Sequence, residues 1–210
     1  MTTAGTTRRS DLLNGLCAAG LRNYPVIGPF GDLYTTNLKT AYEKWGKTRT
    51  RNYVMGLIRR YKPEVMVTHD VDGEYGHGMH KLSADVSRYC VENASNPSVL
   101  PESAAQYGVW QVKKLYLHLY EENPVTMDWR VPLQSFGGKT ALEVAQEAYR
   151  LHVSQQKTTY VVTDEGATSN ARFGLAYTAV GPDVVGGDFM ENIPVKESGA
   201  EQAASPTHAE

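Results

Sequence analysis

The chain of 210 residues is 41% hydrophobic and 21% charged, with a formal net charge of −2. This composition suits one soluble, well-packed domain and excludes a nucleic-acid binder held by a broad basic face. Two isolated cysteines, Cys17 and Cys90, give neither a disulfide framework nor a zinc knuckle. With no apolar leader or membrane-length apolar run in the sequence, they fit a cytoplasmic protein.

In chain order, "SDLLNGLCAAGL" predicts a short helix capped by Ser10 and ended by Gly20. "YPVIGPFGD" reads as an extended segment. A helical region follows from about Leu38 to Tyr61, stopped by Pro63, with Val54, Leu57, Ile58 and Tyr61 on one stripe. The basic run Lys47 to Arg51, with Arg59 and Arg60 further on, reads as a solvated helix face. "EVMVTHD" has the apolar run of a buried parallel strand, so residues 64 to 68 are expected to be central in a sheet. The residues after Thr68 then leave the strand at its carboxyl end, where ligands bind in open α/β sheets. From about His77 to Ala94 a helix is expected, with Leu82, Val86, Tyr89 and Cys90 on its apolar face. "VKKLYLHLY", "TTYVVTD" and "FGLAYTAV" read as strands, and "KTALEVAQEAYRLHVSQQ" as a helix opened by a Thr140–Glu143 capping box. The fold class expected is α/β, a Rossmann-like three-layer α/β/α sandwich with a mostly parallel sheet that later strands join in mixed orientation. Residues 1 to 195 form one domain on this reading, and residues 196 to 210, which include His208, a disordered tail.

The stretch "VMVTHDVDGEYGHGMHKLSADV", residues 65 to 86, concentrates the chemistry. His77 and His80, three apart at a helix start, share one face. Two imidazoles fall short of a catalytic zinc site, which takes three protein ligands plus a water. Taken singly, His69 and His77 read more readily as hydrogen-bonded loop histidines than as site residues. Gly76 and Gly78 permit close backbone approach to a ligand, and Asp70, Asp72 and Glu74 are placed to orient imidazoles. Tyr75 offers a phenol to a developing oxyanion. A private site of His69, Asp70 and His80 is disfavoured because adjacent residues on a strand point apart. His118 reads as a packed strand residue and His152 as a surface residue. "SFGGKTALE" lacks phosphate-loop spacing, so no dinucleotide site is expected.

This stretch resembles the second signature of the PIG-L/LmbE-like de-N-acetylases, zinc hydrolases that remove acetyl groups from N-acetylglucosamine-type sugars. "YGVWQVKKLYLHLYEENPVTMDW", "FGGKTALEVAQEAYRLHVSQQ" and "FGLAYTAVGPDVVGGDFMENI" are similar to a bacterial branch of that family, so the likeness covers most of residues 8 to 193. The resemblance implies that His80 is a zinc ligand, that His77 polarises the amide or protonates the leaving amine, and that Tyr75 holds the oxyanion. Met79 stands where many members have Asp. The family's AHPDDE-like motif, which supplies a His and an Asp ligand and an Asp base, has no counterpart: no histidine precedes His69 and no Asp-Asp pair occurs. The expectation is a family domain without its first strand–helix unit, binding zinc weakly and releasing no acetate alone. An uncovered sheet edge makes association into a homo-oligomer the corollary. The partner implied is an N-acetylated sugar or glycoconjugate. The competing reading is an inactive remnant or sugar-binding protein on the same scaffold.

Overall fold

The computed structural model describes residues 3–194; the expected tail with His208 lies outside them. The first helix, α1, runs Thr3–Ala18, so Ser10 lies inside it and does not cap its start. Its end follows the sequence reading. Gly20 takes φ +90°, and bonds from Gly20 N–H to the Cys17 carbonyl and Leu21 N–H to the Leu16 carbonyl close a Schellman motif. A Cβ at Gly20 would also meet Phe136 Cζ at 2.8 Å.

The helical region expected as one piece is two, α2 Leu38–Trp45 and α3 Lys47–Tyr61, broken at Gly46. Asn37 starts α2, its Oδ1 accepting from Lys39 N–H at 2.8 Å and Thr40 N–H at 3.2 Å. Met55 and Ile58 face the core from α3, while Tyr61, expected on that stripe, is exposed. Arg59 corrects the solvated-face reading: it is 0% exposed. Its guanidinium donates to the carbonyls of Ala94 (3.1 Å), Asn96 (2.8 Å) and Leu100 (2.9 Å). A charge with five fixed donors thus ties off the chain leaving the next long helix.

The strands are β1 Val65–Thr68, β2 Lys114–His118, β3 Pro124–Thr126 and β4 Arg172–Thr178. Their order is β1-β2-β4-β3, with β1–β2 parallel and both other pairings antiparallel. The protein is therefore α/β, but its sheet is mixed and not mostly parallel. Topology explains the difference. The β1–β2 connection carries α4 Gly78–Asn93 and α5 Pro101–Tyr107, the crossover that parallel strands need. After β3, helix α6 Ala141–Arg150 packs on α1, and the chain enters β4 opposite His118, the end at which β2 finishes. The strand expected at residues 64 to 68 forms but is an edge strand, with Val67 45% exposed. Lys114–His118 is the fully buried central strand instead.

Leu82, Val86, Cys90 and Val91 of α4 pack with Met55, Ile58, Leu115 and Leu117 on one face of the sheet. On the other face Tyr116, Val125 and Leu175 meet Phe173 and Phe189. Asp183 anchors that covering segment: it pairs with the buried Lys114 and accepts from Tyr116 Oη at 2.7 Å. The strand expected in "TTYVVTD" is absent. Val161 is exposed there, and the main chain of Thr163 bonds with Asn170 instead of with a strand. The capping box at Thr140–Glu143 is present as expected.

Candidate functional site

The chain leaves β1 at Thr68 and builds the site within twelve residues. Asp70 Oδ1 accepts from Asp72 N–H at 3.1 Å, turning the chain towards a single 3-10 turn at Glu74–Gly76. Gly73 sits at φ +68°, where a Cβ would run into the His77 carbonyl. Tyr75 adopts φ 49°, left-handed backbone rare for a bulky residue and most often found at sites. His77 then caps α4: its Nδ1 accepts from Met79 N–H at 3.2 Å. Gly78 serves packing, contrary to the ligand-approach reading. Its N–H donates to the Thr35 carbonyl at 2.6 Å, and a Cβ would meet the Asn37 carbonyl oxygen at 2.9 Å. Met79 is core, so the group that fixes His77 in this chain is a backbone amide.

The structure brings His77 and His80 together, with ring centroids 4.5 Å apart, and stacks His69 on His80 at 4.0 Å. Tyr75 lies 5.7 Å from His80, edge-on and 72% exposed. Glu74 is the hub. Its Oε2 lies 2.9 Å from His69 Nδ1 and 2.7 Å from His80 Nδ1, and its Oε1 lies 2.8 Å from His118 Nδ1. The His80 contact is outside hydrogen-bonding geometry, so His80 Nδ1 is a buried nitrogen without a hydrogen bond. His118 Nε2 faces the Ser169 carbonyl at 2.9 Å and must donate to it. Its Nδ1 faces a carboxylate oxygen, so both ring nitrogens carry protons when Glu74 is ionised.

The electrostatics agree. Burial works to raise the Glu74 carboxyl, yet its polar contacts with the imidazoles of His118, His69 and His80 hold it well below the usual range. Burial opposes charging His118, but its bonds to Glu74 and the Ser169 carbonyl raise it. His77 is lowered by burial first and by His80 second. With Nδ1 accepting from a backbone amide, neutral His77 keeps its proton on Nε2.

A cleft of about 920 Å³ surrounds these groups, walled by Tyr34, Tyr149, Tyr160 and Asn170. Asn170 Nδ2 donates to Tyr160 Oη at 2.7 Å, which makes the 158–170 segment one wall. His118, expected only to pack, is buried and also lines the cleft. His152 lies outside the lining and acts electrostatically on Asp11. Asp70 lines the cleft without bonding an imidazole side chain, and Asp72 does not line it. The sequence reading gave Glu74 as one of three acids able to orient imidazoles, and His69 beside His80 only in a disfavoured site with Asp70; the structure makes Glu74 the hub and stacks His69 on His80. For a divalent cation, the donor atoms of His69, Glu74 and His80 all lie within 4.8 Å of one another. Two imidazoles and a carboxylate are a zinc donor set, and the unbonded His80 nitrogen fits the same use.

No family model matches the chain. A protein of Frankia alni named 1D-myo-inositol 2-acetamido-2-deoxy-alpha-D-glucopyranoside deacetylase 1 is 35% identical over 120 residues, 53% of this chain and 40% of that protein. The deacetylase of the same name from a Nocardioides species is 25% identical over 154 residues, 66% of this chain and 50% of its own length. A Catenulispora acidiphila relative, again so named, is 26% identical over 114 residues, 50% of this chain and 34% of that protein. The chain thus spans half or less of the length of these relatives. It is similar to sugar deacetylases.

Proposed function

We propose that the chain carries the site of a PIG-L/LmbE-like de-N-acetylase, which hydrolyses the acetamide of an N-acetylglucosamine-type sugar or conjugate with zinc. The mixed sheet, with α4 on one face, would then be the Rossmann-like scaffold of that family. The observation that carries the reading is the fixed His77 beside His80 in a large cleft just past β1. The deacetylase names of the relatives support it.

His80 would hold the ion, with His69 and Glu74 as the neighbouring donors. A zinc ion bound there supplies Lewis acidity and brings the pKa of a water to about 7. His77 presents Nε2–H to the cleft because its other nitrogen is taken by Met79 N–H. That tautomer donates a hydrogen bond to the amide oxygen as negative charge develops there. Tyr75, exposed at the cleft mouth, supplies a second donor to the oxyanion. Tyr34, Tyr149 and Tyr160 offer flat apolar surface to a sugar ring.

One observation favours the non-catalytic alternative. The carboxylates lining the cleft are Asp70 and Glu74, and Glu74 is engaged by histidines, so a general base is not evident among the described residues. Acetate release from an N-acetylglucosamine conjugate, measured with added zinc, tests the proposal. Saturable sugar binding without acetate would establish the alternative.

A further inference from the structure

We propose that His69, Glu74 and His80 form a three-ligand divalent-cation site complete within this chain, with His118 as the positioning residue that holds its carboxylate. The proposal deepens the reading of the cleft as a zinc-dependent deacetylase site; the family resemblance gave His80 alone to the metal.

Each donor comes from a different local structure: His69 from the end of β1, Glu74 from the 3-10 turn, His80 from the first turn of α4. His69 and Glu74 share the connection between β1 and α4, whose turn is shaped by Asp70 and Gly73, and His80 stands on the helix that follows. Both imidazoles turn Nδ1 towards the same oxygen, Oε2, at 2.9 and 2.7 Å. Bonds of about 2.0 to 2.1 Å at tetrahedral angles place donors about 3.3 Å apart. Glu74 Oε2 needs to draw back from each imidazole by only a few tenths of an ångström, on the order of an ordinary rotamer adjustment, and the three donors lie within 4.8 Å of one another. The buried His80 Nδ1 faces Glu74 Oε2 at 2.7 Å outside hydrogen-bonding geometry, a contact that an ion between the two atoms would replace.

Glu74 Oε1 is not free for the ion. It faces His118 Nδ1 at 2.8 Å and accepts from Asp70 N–H at 3.3 Å, which leaves Oε2 as a one-oxygen ligand. His118 is held in turn by the Ser169 carbonyl and by burial in the central strand. A carboxylate whose outer oxygen is fixed through a histidine to a main-chain carbonyl is oriented before the metal arrives. The same contact ties the metal carboxylate to the 158–170 wall of the cleft.

The test is zinc binding by the chelator-stripped chain, measured by calorimetry, with cobalt(II) absorption as the signature of ligand geometry. One zinc per chain is expected, with Kd of about 1 μM or tighter. His69→Ala and Glu74→Gln should each weaken it by about a hundredfold or more. His118→Gln should weaken it by about 10- to 100-fold and alter the cobalt spectrum, which a packing defect alone would not do. His152→Ala should change neither. His69 is partly exposed, so if Glu74→Gln fails to fold, His69→Ala decides. Stoichiometric uptake lost in these variants supports the site even if no acetate is ever released, in which case only the hydrolytic reading falls. Wild-type affinity weaker than about 100 μM, or affinity unchanged in His69→Ala, overturns it.

Discussion

At the residue scale the site depends on how single polar atoms are satisfied. His77 has one nitrogen committed to a backbone amide and the other free, which is what a neutral imidazole polarising a substrate carbonyl requires. In the zinc-loaded chain, His77→Ala should lower turnover by roughly a hundredfold while zinc content stays level. Tyr75→Phe should cost less and act on turnover. Equal zinc loss in both variants would show that their roles are not separate from the ligands. Arg59 poses the same question away from the site. Arg59→Met leaves three main-chain carbonyls without their donor, and should destabilise the fold by about 3 kcal/mol in urea unfolding. A loss under about 0.5 kcal/mol would mean that water replaces the guanidinium. The histidine pair was legible because its spacing of three is a local, helical signal. Glu74 as hub was not, since His118 lies 44 residues away and only the fold brings them together. Arg59 was misread because charge signals solvent, and nothing local reveals a cage of carbonyls around it.

At the element scale, the start of α4 positions both His77 and His80 and is pinned by Gly78 against residues 35 to 37. Gly78→Ala should cost about 1 to 3 kcal/mol, because its Cβ meets backbone that cannot swing aside. A melting temperature equal to the parent's would show that the 35–37 segment yields. The covering segment held by Asp183 has its own lock: Glu191 accepts from the N–H groups of Gly186, Val184 and Val185. Those bonds, that of Gly186 first, lower the Glu191 carboxyl below its ordinary value. A group depressed in the folded state contributes stability above its unfolded pKa and loses it as pH falls through the folded one. The melting-temperature gap between parent and Glu191→Gln should therefore be full at neutral pH and close in acid; a gap independent of pH would contradict this. Helices α4 and α6 and strands β2 and β4 were legible because apolar period and caps are local. The edge position of β1 was not, because an apolar run records what a strand prefers to bury against, not which strands flank it. The missing strand at 158–164 shows the same limit: its valines favour β-structure, but bonding to Asn170 directs the backbone into the cleft wall.

At the scale of the whole molecule, an apolar cluster covers each face of a four-stranded sheet, and the cleft opens where β1 and β2 end. Cys90 lies at the centre of that core, and burial pushes its thiol up to about 12. Cys17 is exposed. A thiol reagent at neutral pH should label one cysteine at once and the second only at the rate of global opening. Rapid labelling of both would mean that α4 does not pack as described. No described helix is long and apolar enough to cross a membrane. The central proposal is chemical, and it departs from the sequence expectation that the chain alone releases no acetate: neutral His77, fixed beside a metal-binding His80, would take part in cleaving an N-acetyl group. The most direct measurement is acetate released from an N-acetylglucosamine conjugate by the zinc-loaded chain, compared with its His77→Ala variant at equal zinc content. The account predicts sustained release by the parent and a loss of roughly a hundredfold in the variant. Equal release by both, or none from a parent that holds zinc and binds the sugar, would contradict it.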